Sequence, residues 1–197
     1  RHHPRSRGLG DVYNRQGRGL TPEVVEHWHQ VPAVPTGAFK ELALRSFPEP
    51  DTVKTFRTSG TSGQKRGQLH LDTLALYEAS LMASLDTLFL AGEAGPKTLL
   101  RILAPSAQEA PDSSLSHMFQ VLLANRGAPA SAFDVIGGEL RVESLVRSLE
   151  EAEASGAPVA VCGTAYSFVH LIEALEARGL ALRCPPGSRI METGGFK

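Results

Sequence analysis

Thr58-Ser59-Gly60-Thr61-Ser62-Gly63-Gln64-Lys65-Arg66-Gly67 threads hydroxyl side chains between glycines and closes on two cations. Glycines let the backbone bend until successive N–H groups point into one concavity, hydroxyls add donors, and the cations meet charge that the amides only partly neutralise. The chemistry is that of a phosphate grip, and a nucleotide triphosphate is the natural guest. Thr58, Ser59, Gly60, Thr61, Ser62 and Gly63 are the candidate nucleotide contacts, with Lys65 and Arg66 as candidate catalytic cations. Only two residues separate Gly60 from Gly63, whereas a Walker loop needs four between its glycines and a Lys-Ser/Thr ending. By composition alone the same run also reads as a solvated linker.

The flanks favour the grip. Val53-Lys54-Thr55-Phe56-Arg57 alternates like a short half-buried strand. From Leu71 to Leu90, Leu74, Tyr77, Leu81, Leu85 and Leu88 recur at spacings of three and four, which predicts a helix directly after the loop. The expected context is therefore strand, glycine loop, helix.

Further along, Leu99–Ala104, Ala132–Ile136, Val159–Cys162 and Ser188–Glu192 read as strands. Between them, Ser114–Ala124, Val142–Ala154 and Tyr166–Ala177 read as helices. Strands separated by helices of this length imply right-handed crossovers, so the expected fold class is α/β, a mostly parallel sheet with helices on both faces. Thr21-Pro22-Glu23 reads as a helix start leading into Val24, Val25 and Trp28. Residues 1–19, rich in Arg, Gly and His, read as a flexible basic arm or an expression remnant, leaving 20–197 as the α/β region.

Ligands of open parallel sheets sit beyond the carboxyl ends of strands. The loop at 58–67, a turn at Cys162-Gly163-Thr164 and Gly194-Gly195 all follow expected strands, and their common edge is the expected nucleotide position. Gly194 and Gly195 read equally as a plain strand-end turn. Cys162, after three apolar residues in a strand, reads as buried and inert rather than as an acyl acceptor. Twenty Lys+Arg against 21 Asp+Glu give a net charge of −1, which offers no global field to nucleic acid or to an anionic membrane. The two cysteines have neither CxxC spacing nor neighbouring ligands, which argues against a zinc site and a disulfide scaffold. No apolar run reaches membrane-span length and none near the start matches a signal peptide, so no membrane span and a cytoplasmic location are expected.

Thr-Ser-Gly-Thr-Ser-Gly-x-x-x-Gly resembles the signature loop of adenylate-forming enzymes, the acyl and aryl CoA ligase superfamily. Together with Val31-Pro32-Ala33-Val34-Pro35-Thr36-Gly37-Ala38-Phe39-Lys40 and the closing Met191-Glu192-Thr193-Gly194-Gly195-Phe196-Lys197, it is similar to the acyl-protein synthetases of bacterial bioluminescence fatty-acid reductase complexes, over roughly residues 28 to 197. That loop commonly ends Gly-x-Pro-Lys-Gly, and here Lys65 stands where proline is usual and Arg66 where lysine is usual.

The resemblance implies the N-terminal part of an adenylate-forming fold, with ATP and Mg²⁺ as cofactors, a carboxylic (fatty) acid as substrate, and a thiol acceptor on a protein or on coenzyme A. It also implies a partner reductase or carrier protein, Gly194 and Gly195 against the adenine, and His117 as a group gating the carboxylate. The Tyr-Gly-x-Thr-Glu stretch, ribose-binding aspartate and late catalytic lysine of that superfamily do not occur here, which leads to the expectation of a longer natural enzyme whose first 197 residues are inactive alone. The rival expectation is a non-catalytic nucleotide-binding or interaction module.

Overall fold

The computed structural model describes residues 24–31, 33–58, 65–90 and 97–194. Contacts divide the chain into two compact units, one ending at Tyr77 and one beginning at Glu78. The helix start at Thr21-Pro22-Glu23 lies outside the described residues. Val24–Glu26 is not helical, and only a single 3₁₀ turn forms at Trp28–Gln30. There Gln30 Oε1 accepts the Glu26 and His27 N–H groups at 2.7 and 2.8 Å, a side-chain closure that replaces a longer helix.

The first unit is built on an antiparallel hairpin of β1 (Lys54–Arg57) and β2 (Gln68–Leu71), with a four-residue helix α1 (Ala38–Glu41). This corrects the expected strand, loop, helix order: the segment after the loop is a strand. Gln68–Leu71 alternates at period two, and its backbone pairs register for register with β1, Lys54 opposite Leu71 and Arg57 opposite Gln68. Helix α2 starts only at Ala75 and runs to Ser84. It widens into a π-helical turn at Leu85–Phe89, where the Leu90 N–H donates to the Leu85 carbonyl at 2.8 Å. Phe56, on β1, is buried with its ring 5.4 Å from that of Tyr77.

The second unit holds a four-stranded parallel sheet in the order β4-β3-β7-β8. Its strands are β3 (Leu99–Leu103), β4 (Ala132–Phe133), β7 (Val159–Thr164) and β8 (Arg189–Thr193). Helices α3 (Ser114–Arg126), α4 (Val142–Ser155) and α5 (Ala165–Ala177) supply the crossovers. The chain moves one way along the sheet from β3 to β4 and the other way from β4 through β7 to β8. Crossovers of one hand must then place α3 on one face and α4 and α5 on the other. The core shows this division. Leu100, Ile102, Ala160 and Cys162 pack with Phe119 and Leu122 of α3, while Leu103, Val159 and Val161 pack with Leu145 and Leu149 of α4 and Leu171 of α5.

Two local expectations are corrected. Ala132–Ile136 is not one strand. Asp134 interrupts it, turning its carboxylate into the core, and Val135–Ile136 (β5) instead pairs with Glu139–Leu140 (β6) through a Gly137-Gly138 turn with both φ angles positive, the primed geometry of tight hairpins. Cys162-Gly163-Thr164 is not a turn but the end of β7, and Thr164 caps α5 directly, its Oγ1 accepting the Ser167 N–H at 3.2 Å.

Asp134 has a buried partner. Arg101, in the middle of β3, donates through Nε to Asp134 Oδ2 at 2.9 Å and through Nη2 to Oδ1, and reaches Ser144 Oγ of α4 at 3.2 Å. Burial holds the Asp134 carboxyl above the usual carboxylate range, and the Arg101 guanidinium works against that rise.

Gly163 sets how closely β3 and β7 approach. A Cβ there would lie 2.7 Å from Leu103 Cβ and 3.1 Å from the Leu103 carbonyl oxygen. Gly163→Ala is therefore expected to lower unfolding stability by about 1–3 kcal/mol, the usual range for overpacking a filled core, and urea unfolding of the two proteins measures it.

Candidate functional site

Within the first unit, the loop between β1 and β2 is closed at its ends by Thr58 and Gly67. The Thr58 N–H donates to the Gly67 carbonyl at 2.9 Å, and the Gly67 N–H donates to Thr58 Oγ1 at 2.9 Å. Arg66 adds a third tie, its Nε donating to the Thr58 carbonyl at 2.7 Å. The loop is thus gathered at its neck. One side of each neck residue already serves the protein. Lys65 Nζ lies 3.1 Å from Glu41 Oε2 of α1, an ion pair with both side chains exposed. Ser59, Gly60, Thr61, Ser62 and Gly63 lie outside the described residues.

The strand order of the parallel sheet reverses between β3 and β7, and the carboxyl ends of those strands form the edge where such sheets take ligands. The expected common edge holds for Thr164 and Gly194, because β7 and β8 are neighbours with Thr164 opposite Thr193. It does not hold for the loop at 58–67, whose strand β1 belongs to the separate two-stranded sheet. Gly194 has φ of +76°, the left-handed region that favours glycine, and follows β8 directly. Gly195 lies outside the described residues.

His117 sits on the first turn of α3, as the expected helix over Ser114–Ala124 has it. Ser113 caps that helix, its Oγ accepting the Ser116 N–H at 3.1 Å. His117 Nε2 is 2.9 Å from Glu78 Oε1. Glu78 is thirty-nine positions away in sequence, and no local pattern singles it out. The same holds for Glu41 beside Lys65.

Cys162 is fully buried, and burial pushes its thiol up to about 12. An acyl acceptor needs a thiolate, so the structure agrees with an inert role. Cys184 is exposed. A maleimide applied to the native chain at pH 7.5 is expected to label Cys184 and leave Cys162 unlabelled until denaturant is added, as peptide mass mapping checks. Among the described residues no group of three or more His, Cys, Asp and Glu is placed to hold a metal, and no helix is long and apolar enough to cross a membrane.

No protein-family model, curated protein or solved structure gives a significant match to this chain.

The hairpin carries a titratable weak point. His70, opposite Thr55, holds Thr55 Oγ1 at 2.9 Å through Nδ1, while Nε2 is buried with no hydrogen-bond partner among the described residues. Burial lowers its pKa below 6.5, Arg45 and Arg57 push the same way, and Glu49 opposes them. A depressed histidine pKa contributes stability that is present above 6.5 and lost as pH falls from there through the lower folded value. Amide-exchange protection of β1 and β2 is expected to fall between pH 7 and 5, and His70→Asn to flatten that dependence.

Proposed function

We propose that this chain carries the phosphate grip of an ATP-dependent, adenylate-forming ligase resembling the acyl-protein synthetases, acting on a carboxylic acid, with a fatty acid as the fitting substrate. The observation that carries the reading is the gathered loop. Thr58, Arg66 and Gly67, at the two ends of the hydroxyl, glycine and cation run, are tied to one another by three hydrogen bonds. A loop closed this way loses less entropy when its amides converge on an anion. Three motifs in family order and an α/β unit with a parallel sheet add support.

In the proposed reaction a carboxylate oxygen attacks the α-phosphorus of ATP. A new C–O–P bond forms, the bond from the α-phosphorus to the bridging oxygen breaks, and pyrophosphate leaves with that electron pair. A thiolate then attacks the acyl carbon and displaces AMP. The loop holds the β and γ phosphates in line and meets the charge growing on the leaving group. Mg²⁺ carried by the triphosphate would neutralise part of its charge. A cytoplasmic setting fits, as do a carrier protein or coenzyme A as thiol source and a partner reductase.

One observation favours the second reading, a module that binds nucleotide without catalysis: Lys65 is paired with Glu41, and Arg66 is tied to a backbone carbonyl. Pyrophosphate exchange separates the two. In the full-length natural protein, Ser59, Thr61 and Ser62 changed together to alanine, with Thr58 kept because it closes the neck, are expected to weaken ATP binding by about 1–3 kcal/mol. Carboxylate-dependent exchange should fall with it. Unchanged ATP affinity rules out the grip. Weakened affinity with no exchange in either protein selects the binding module.

A further inference from the structure

A cavity of about 520 Å³ opens at the amino end of the parallel sheet, at the other end of the strands from Thr164 and Gly194. It lies wholly within the second unit. The space exists because the residues around it are small: Ala128, Ala157 and Ala160 carry one methyl group each, and Gly187, at φ of +87°, carries none. Leu90, Leu99 and Pro158 supply apolar wall.

The charge on this cavity is of one sign. Among the described residues that line it, Lys97 and Arg189 alone are ionisable, and both are cations. Arg189 stands opposite Ala160 in the parallel register, so its side chain leaves the sheet on the same face as Ala160, the face that α3 covers. A guanidinium brings five N–H donors. Arg101 in the same sheet gives its donors to Asp134, Ser144 and the Ala130 carbonyl. Arg189, half-buried, has no hydrogen-bond or ion-pair partner among the described residues. Lys97 Nζ donates once, to the Asn125 carbonyl at 3.3 Å, and keeps two N–H groups. A carboxylate matches the guanidinium fork with two parallel hydrogen bonds, and apolar walls that exclude water strengthen such a pair.

We infer that this cavity is a binding site for a small carboxylic acid with an apolar body, its carboxylate held by Arg189 with help from Lys97 and its body against Leu90, Leu99 and Pro158. Apolar walls with a few placed polar groups are the usual make-up of a small-molecule site, and the volume falls within the usual range of about 300–1,000 Å³. A bare inorganic anion leaves the walls uncovered. An uncharged body leaves the guanidinium unmatched. The inference stands apart from the loop at 58–67, which belongs to the first unit.

The test is calorimetric titration of the full-length natural chain with octanoate, beside octanol, which keeps the body without the charge, and acetate, which keeps the charge without the body. Alanine-methyl NMR spectra along the titration locate the site. Octanoate is expected to bind saturably and more tightly than either control, with the largest shifts at Ala128, Ala157 and Ala160. Arg189→Gln should lower octanoate affinity roughly tenfold or more, the scale of one charge-assisted hydrogen bond. Lys97→Gln should lower it less, because that side chain is exposed, and Arg189→Lys, which keeps the charge without the fork, should fall between wild type and Arg189→Gln. If Arg189→Gln fails to fold, Ala157→Phe, at an exposed position on the wall, tests the same site by filling it and should abolish binding. Unchanged octanoate affinity in the folded variants, octanol bound as tightly as octanoate, methyl shifts confined to other alanines, or no octanoate binding by the wild-type chain each overturns the site.

Discussion

The parallel ladder between β3 and β7 is the constraint on which the second unit depends. Leu99 to Leu103 pair with Val159 to Gly163, and nearly every side chain along that seam is buried. A parallel pair needs both faces covered, because its strands carry apolar side chains on each side. The covering follows from direction: α3 packs on one face and α4 and α5 on the other, because the chain leaves β3 one way and returns past it the other. Gly163 opposite Leu103 lets the two backbones close up at the carboxyl end. Thr164 immediately caps α5, and Ser113 caps α3 beyond β3, so the same edge collects two helix amino termini.

Inside that seam sits one ionic exception. Arg101 occupies a strand position whose neighbours are apolar, and its charge is met by Asp134, Ser144 Oγ and the Ala130 carbonyl. Removing one member of such a pair costs about 3–5 kcal/mol by stranding the other, although an apolar replacement of both would be near neutral. The pair links the middle of β3 to the residue that follows β4 and, through Ser144, to α4. Asp134 leaves the strand to serve this contact, and the β5–β6 hairpin is what the chain does next.

The hairpin unit follows a different logic. Its loop is held by bonds at the neck, Arg66 among them through Nε on the Thr58 carbonyl, while Lys65 sits in an exposed pair with Glu41. An exposed pair such as Lys65 with Glu41 is worth about 0–1 kcal/mol. The bond from the Thr58 N–H to the Gly67 carbonyl is of another kind, because it continues the hairpin ladder one residue beyond Arg57 and Gln68. Rigidity at the neck and loosely held charge beside it are compatible with one another.

What was legible in the sequence is what periodicity carries. The strands β3, β7 and β8 fall on short apolar runs and the helices α3, α4 and α5 on apolar spacings of three and four, and the parallel sheet follows from the helix-length connections between them. The hydroxyl and glycine run at 58–63 and the cations at 65 and 66 are visible as residue types alone. Gln68–Leu71 was hidden because Leu71 and Leu74 continue into a helical spacing, and a four-residue strand exists only through the partner that completes its ladder. Glu41 on Lys65, Glu78 on His117 and Arg101 on Asp134 join residues twenty-four or more positions apart. Local pattern determines which face of an element is apolar, because that depends on neighbours along the chain. Which charge meets which partner was decided only in three dimensions, where backbone ladders and buried faces bring distant residues within hydrogen-bond reach.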